Sequence, residues 1–264
     1  MRLTQPINSI NPTNPKTINI DKIQYLSDVH LEYGDPPCKN EKTANVVALL
    51  GDIGDPLTEP YSSYIHEMAR TYDIVFLILG NHEYFGHFIH QIEAHMAAPH
   101  TLPSNVIYLQ NSFVEFANVC IWGSTLWTNI DPAIEHLMSD YKYIHDFHLE
   151  DARMLHKKAV RSLERAIQSA NDLNKKLVVL THHAPLDAMN GPYLNEEKAS
   201  AYATDLSRYF EDPIVGWLCG HTHQNMCATQ NGIPCMANCY GYPNECLQPP
   251  FDPQSTFQVH TECT

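Results

Sequence analysis

The sequence predicts an α/β fold with two β layers, each a mixed sheet, and helices around them. Three observations predict it. Apolar, β-branched runs recur along the chain, each short enough for a strand and each ending in a polar cluster. Helical periodicity lies between several of these runs. Two further stretches read as short strands broken by turn residues.

Residues 1–19 are rich in Asn, Pro and Thr and read as a flexible arm ahead of a single domain over 20–264. The first buried strand is expected at Ile23-Gln24-Tyr25-Leu26, which runs into Ser27-Asp28-Val29-His30. The second, Val46 to Leu50, runs into Gly51-Asp52. The third, Ile74 to Leu79, runs into Gly80-Asn81-His82-Glu83, with helical patterns before it (Tyr61 to Tyr72) and after it (Phe85 to Ala98). Val106 to Trp127 reads as paired strands with turns near Asn111 and Asn118. The clearest helix spans Leu149 to Leu173, with Leu155, Val160, Leu163 and Ile167 at helical spacing. Leu177 to Leu180 then runs into Thr181-His182-His183, and Val215 to Cys219 into Gly220-His221-Thr222-His223. The end, Ile233 to Val259, reads as short strands and turns. Continuous apolar runs of this kind suit strands buried on both faces.

At 264 residues the chain buries a sizeable core without disulfide staples. Sixteen Lys and Arg against thirty Asp and Glu give a formal charge of −14. Nucleic acid is therefore an unexpected partner, because phosphate backbones require cationic patches. The same charge argues against an anionic membrane surface, and no run of about 18 apolar residues is present to span a bilayer. The opening residues carry no apolar signal region, so a cytoplasmic protein with reduced thiols is expected. Bound divalent cations would make one place locally positive and keep an anionic substrate compatible with this charge.

In open α/β sheets, ligands bind beyond the carboxyl ends of the strands. The predicted strands end in Asp, Asn or His, so Asp28, His30, Asp52, Asn81, His182, His221 and His223 should meet at one place. In Asp28-Val29-His30 and His221-Thr222-His223, positions two apart in extended backbone point the same way. Gly51, Gly80 and Gly220 stand just before these residues, where a tight turn or close backbone approach is needed. Carboxylate, imidazole and amide oxygen form a mixed donor set suited to Mn, Fe or Zn. Seven donors are too many for one ion; with one bridging carboxylate they supply two ions with about four ligands each. Two such ions about 3.5–4 Å apart suit phosphoester hydrolysis, where charge must be neutralised and water made nucleophilic.

Asp-x-His, Gly-Asp-x-x-Asp, Gly-Asn-His-Glu, a His ending a later strand, and Gly-His-x-His follow in this order from Asp28 to His223, about three quarters of the chain. In this the sequence resembles the calcineurin-like metallophosphoesterases. The resemblance implies a four-layer α-β-β-α sandwich of two mixed β sheets flanked by helices. It implies that Asp28, His30 and His223 bind a first divalent metal, that Asn81, His182 and His221 bind a second, and that Asp52 bridges both. His82 would face the scissile phosphate and protonate the leaving oxygen, and Asp55, last in Gly-Asp-x-x-Asp, would orient it and raise its pKa. The implied reaction is hydrolysis of a small-molecule or nucleotide phosphodiester by a metal-bridging hydroxide. The alternatives are a phosphomonoesterase (nucleotidase or protein phosphatase) and a non-catalytic metal-binding scaffold of the same fold. The protein phosphatase branch carries Arg after Gly-Asp-x-x-Asp and before Gly-Asn-His-Glu. Here Pro56-Leu57 and Leu79 stand in those places, which argues against phosphoprotein substrates. A small phosphoester is the expected substrate, and no protein partner is predicted.

His183 neighbours an expected ligand and either touches substrate or caps the turn. His66, His87, His90, His95 and His156 lie on helical patterns and read as surface or satisfied core residues, whereas His136, His145 and His148 are candidates for the mouth of the site. Cys219, Cys227, Cys235, Cys239 and Cys246 lack the paired Cys-x-x-Cys spacing of a zinc module and read as buried thiols. Leu186 to Ala203 follows a ligand strand and reads either as a substrate-covering loop or as plain surface.

Overall fold

A computed structural model describes residues 15–34 and 41–260. In chain order its elements are β1 (Lys22–Leu26), β2 (Val46–Leu50), α1 (Glu59–Thr71), β3 (Ile74–Ile78), α2 (Ile89–Ala97), β4 (Val106–Tyr108), β5 (Ser112–Glu115), β6 (Val119–Ser124), α3 (Asp140–Tyr143), α4 (Leu149–Asp172), β7 (Lys176–Thr181), α5 (Ala199–Tyr202), β8 (Ile214–Cys219), β9 (Met226–Gln230), β10 (Ile233–Ala237) and β11 (Thr256–Gln258). They form two mixed sheets. One runs β11-β1-β2-β3-β4, parallel except for β11; the other runs β5-β6-β7-β8-β10-β9, with β5 and β9 antiparallel to their neighbours.

Successive residues of a strand face opposite ways, and here both faces are covered. Val46, Ala48, Leu50, Phe76 and Ile78 of the first sheet meet Ile121, Val178, Leu180 and Leu218 of the second. Val47, Leu49, Val75 and Leu77 face outward onto Tyr61, Ile65 and Met68 of α1 and Ile92 and Met96 of α2. On the far side Trp122, Leu177, Val179 and Trp217 pack on Ala159, Leu163, Ala166 and Ala170 of α4, whose three alanines present a flat face to the sheet. The layers are helix, sheet, sheet, helix, as the sequence predicts. Burying each large apolar side chain stabilises the fold by about 1.5–3 kcal/mol.

The helix α4 starts at a capping box between His148 and Asp151 and is followed by Asn174 with φ 51°, a left-handed residue that stops it. The predicted helices at 61–72, 85–98 and 149–173 are α1, α2 and α4. Val106 to Trp127 differs from its expectation. Only β5 and β6 pair with each other; β4 pairs with β3 in the other sheet, and Asn111 at φ 53° turns the chain across the sandwich. Strand β9 escapes sequence reading because it is a half-exposed edge strand whose apolar stretch is only three residues long. Of the expected flexible arm, 1–14 lies outside the described residues. Residues 15–19 are held to the β5–β6 hairpin: Lys16 pairs with Glu115, and the Ile18 carbonyl accepts the Ala117 N–H. Among the described residues, no helix is long and apolar enough to cross a membrane.

Candidate metal centre

The loops after β1, β2, β3, β7 and β8 bring all the predicted metal ligands together at one edge of the sandwich. One group is Asp28, His30 and His223. His223 Nε2 lies 3.3 Å from His30 Nε2 and 3.3 Å from Asp28 Oδ1. The other is Asn81, His182 and His221. His182 Nε2 lies 3.1 Å from Asn81 Oδ1 and 3.1 Å from His221 Nδ1. Asp52 stands between them, with Oδ2 3.9 Å from His30 Nε2 and Oδ1 3.4 Å from His182 Nε2.

The backbone is bent to achieve this. Asp28, His30, Asp52, His221 and His223 have φ of 56°, 53°, 53°, 68° and 50°, in the left-handed region that L-residues rarely occupy. Each such residue is strained by about 1 kcal/mol or more, and strain of this kind concentrates at functional sites. The expected extended geometry at Asp28-Val29-His30 and His221-Thr222-His223 is therefore replaced by left-handed residues at both ends of each triplet. The Glu83 carboxylate holds two of the loops in register by accepting the N–H groups of Asp52 (3.0 Å), Ile53 (2.8 Å) and Gly80 (2.7 Å). Gly80 is required by close approach, because a Cβ there would overlap the Asp52 carboxylate.

The outward-facing atoms fix which atoms point in. His182 Nδ1 lies 2.8 Å from the Leu50 carbonyl, which can only accept, so Nδ1 carries hydrogen and Nε2 turns inward. His30 Nδ1 lies 3.0 Å from Glu32 Oε1, and His223 Nδ1 lies 2.6 Å from Glu245 Oε2. Asn81 Nδ2 donates to Asp140 Oδ1 at 2.8 Å, which leaves its Oδ1 facing His182. Acceptor atoms therefore converge, an arrangement that suits a cation. In the metal-free protein, protons fill that role. Burial opposes charge on His182, but Asp52 outweighs it and raises the imidazole to about 9. Burial likewise opposes charge on His223, but Asp28 and Glu245 raise it to about 10. His221 is lowered to about 3 by burial and by its neighbour His182, and its outer Nε2 is buried with no hydrogen-bond partner among the described residues. Imidazoles oriented from outside, around shared carboxylates, fit divalent metal ions that displace such protons.

His82 stands beside both groups. Its Nε2 lies 3.9 Å from Asp52 Oδ2 and 3.2 Å from the Tyr242 hydroxyl. Its Nδ1 lies 2.9 Å from Glu32 Oε1, the same oxygen that holds His30. The expected Asp55–His82 pair is not what forms. Asp55 Oδ1 accepts the Leu57 N–H in a tight local turn and meets His87 Nε2 at 3.1 Å, so its carboxylate is turned away from His82. Glu32 takes that place. Burial lowers the His82 pKa, but Asp52 and Glu32 raise it further than burial lowers it.

The family model for calcineurin-like phosphoesterases matches residues 22–225, which span all of these loops. The chain belongs to the calcineurin-like phosphoesterase family. It is also 31% identical over 261 residues to an uncharacterized protein, L509, of Acanthamoeba polyphaga mimivirus, covering 84% of this chain and 92% of that one. The crystal structure of phosphopantetheinyl hydrolase from Mycobacterium tuberculosis has a similar fold, with a TM-score of 0.61 at 15% identity over 84% of this chain and 90% of that one.

Several residues of this calcineurin-like phosphoesterase were missed or left open by sequence. Glu32 had a usable signal, since it continues Asp-x-His to Asp-x-His-x-Glu. Glu245, Asp140 and Tyr242 had none, because they reach the centre from distant parts of the chain. His183 is buried and its Nδ1 lies 3.1 Å from the Thr125 carbonyl, so it anchors the turn. Burial and the neighbouring His221 and His182 lower its pKa well below the usual value. Segment 186–203 reaches the centre through Tyr202, whose ring lies 5.1 Å from that of His221. His145 packs on Phe88, and His148 caps α4. Cys219, Cys235 and Cys239 are buried as expected, whereas Cys227 and Cys246 are exposed.

Proposed function

We propose that the chain is a phosphodiesterase for small molecules that works with two divalent metal ions. The observation that carries this is Asp52, which offers one oxygen to each donor group while His82 Nε2 stands alongside. Asp28, His30, His223 and Asp52 would hold one ion, and Asn81, His182, His221 and Asp52 the other. Mn, Fe and Zn all suit this donor set. When bound, such ions neutralise phosphate charge and make water acidic enough to attack near neutral pH.

The chain's own residues supply the rest. Glu32 holds the proton on His82 Nδ1, so Nε2 is the atom that delivers a proton to the leaving oxygen. The Tyr242 hydroxyl keeps Nε2 oriented until a leaving oxygen takes its place. Asp140 and Glu83 hold Asn81 and the Asp52 loop still. The preference for a diester rests on charge. Glu32, Glu245 and Asp140 surround the ligand carboxylates Asp28 and Asp52, and a diester brings one negative charge into this acidic setting where a monoester brings nearly two.

The test is hydrolysis of a matched aryl phosphodiester and phosphomonoester by Mn-reconstituted protein, with Asp52→Asn as control. Diester cleavage that exceeds monoester cleavage and disappears in the control is expected. Preferential monoester cleavage would overturn the diester assignment. No turnover with both metals bound would make the chain a metal-binding scaffold.

A further inference from the structure

The outer side of α4 carries a row of cations in an acidic chain. Five of the sixteen Lys and Arg stand between residues 153 and 165: Arg153, Lys157, Lys158, Arg161 and Arg165. Between Asp151 and Asp172 the helix holds one acidic residue, Glu164, and the Tyr209 hydroxyl donates to its carboxylate at 2.6 Å. Lys157, Lys158, Arg161 and Arg165 are exposed and, with Met154 at 59% exposure, line a surface hollow of about 370 Å³. Lys16, Lys175 and Lys176 each pair with a carboxylate, whereas these four cations form no ion pair among the described residues. Steps of three and four residues set them along one side of the helix. The opposite side is spent on the second sheet, through Ala159, Leu163, Ala166 and Ala170. Unpaired cations held in a row on a rigid helix repel one another, and an anionic partner relieves that repulsion.

We infer that this face of α4 docks a short, acidic, helical segment of a protein partner. Length and charge select that occupant. From Lys157 to Arg165 the row runs about 12 Å, at a rise of about 1.5 Å per residue. Carboxylates close it at both ends, Glu150 and Asp151 in the first turn and Asp172 at the last residue. A nucleic-acid strand or an anionic membrane extends past these ends onto a chain whose formal charge is −14, and is repelled there. A helix laid along α4 has the same pitch, so Glu or Asp at three- and four-residue steps meets each cation in turn. Met154, beside the N-terminal end of the row, gives an apolar residue of that helix a place to pack. The row contributes no residue to the metal centre, so the inference stands apart from the phosphodiesterase reading.

The test measures binding of four probes to the Mn-loaded full chain. The first is a helical peptide with Glu in a row along one side and a Leu beside it. The second has the same composition with Glu spread around the helix. The others are a single-stranded DNA oligonucleotide with as many phosphates as the peptide has Glu, and phosphatidylserine vesicles. The row peptide should bind about tenfold more tightly than the spread one. Arg161→Glu with Arg165→Glu should weaken it by about tenfold or more, since like charges then face one another. Arg161→Gln with Arg165→Gln should give a smaller loss in the same direction. Arg70→Glu with Lys198→Glu, at exposed cations elsewhere, makes the same change in net charge and should alter binding by less than about twofold. All three variants should keep the wild-type melting temperature. Equal losses from the two charge reversals, equal binding of the two peptides, or no binding of either at about 1 mM would overturn the docking face. Tighter binding of the oligonucleotide or the vesicles, lost in Arg161→Glu with Arg165→Glu, would overturn the protein segment in favour of that polyanion.

Discussion

Glu32 holds two imidazoles with one oxygen, His30 from the first donor group and His82 beside it. Burial opposes its charge, but the hydrogen bonds from His30 and His82 lower its pKa to about 2. It is therefore a carboxylate at neutral pH, able to keep hydrogen on Nδ1 of both rings. Glu32→Gln should reduce kcat by about 10- to 100-fold on diesters with poor leaving groups, the usual effect of removing a partner that orients an active imidazole. Asp55→Asn should leave kcat near wild type, since Asp55 serves the Leu57 turn and His87. Comparable losses in the two variants would return the orienting role to Asp55. A pH effect follows from His182 and His223, which titrate at about 9 and about 10 in the metal-free fold against an ordinary 6.5. Their raised values mean that folding takes up protons above 6.5. The stability they contribute is complete below 6.5 and is lost as pH rises through 9 and 10. The melting temperature of chelator-treated protein should fall across that window, while metal-loaded protein, in which ions replace those protons, should hold. A melting temperature of the chelated protein that rises with pH would contradict this.

The strand-end loops turn ordinary apolar strands into a metal-binding edge, and they do so by close contact. A Cβ on Gly80 would overlap the Asp52 carboxylate and press on His182. Gly80→Ala should therefore lower bound metal and activity together. Leu163→Ala, in the layer between α4 and the second sheet, should lower unfolding free energy by about 2–5 kcal/mol and leave metal content intact. Metal loss in Leu163→Ala with none in Gly80→Ala would refute this division of labour. The same division explains what the sequence discloses. Val46 to Leu50 and Ile74 to Ile78 are buried at every position, so their apolar runs are unmistakable, and their ends point to Asp52 and Asn81. The partners that orient those ligands are not legible in that way. Glu245 lies 22 residues from His223 and Asp140 lies 59 from Asn81, and no local periodicity connects either pair. Asp55 illustrates the opposite failure: a motif position carried over by resemblance, whose carboxylate a two-residue turn has claimed.

The two sheets place their strand ends at one edge of the sandwich, so a centre assembled from both sheets also ties them together. Asp28 from the first sheet accepts the His221 N–H from the second at 3.1–3.2 Å, and His182 from the second bonds the Leu50 carbonyl of the first at 2.8 Å. In a chain with a formal charge of −14, ions bound at this edge would neutralise carboxylates that otherwise repel one another. Among the described residues, Asp52 is the one placed to join two metal sites into one. Equilibrium Mn binding to wild type and to Asp52→Asn, followed by metal analysis of the isolated protein, examines that directly. Two ions per wild-type chain, with both weakened by about tenfold or more in the single variant, is the predicted result. One ion per wild-type chain, or a variant that loses one ion and keeps the other at wild-type affinity, would show that Asp52 does not bridge.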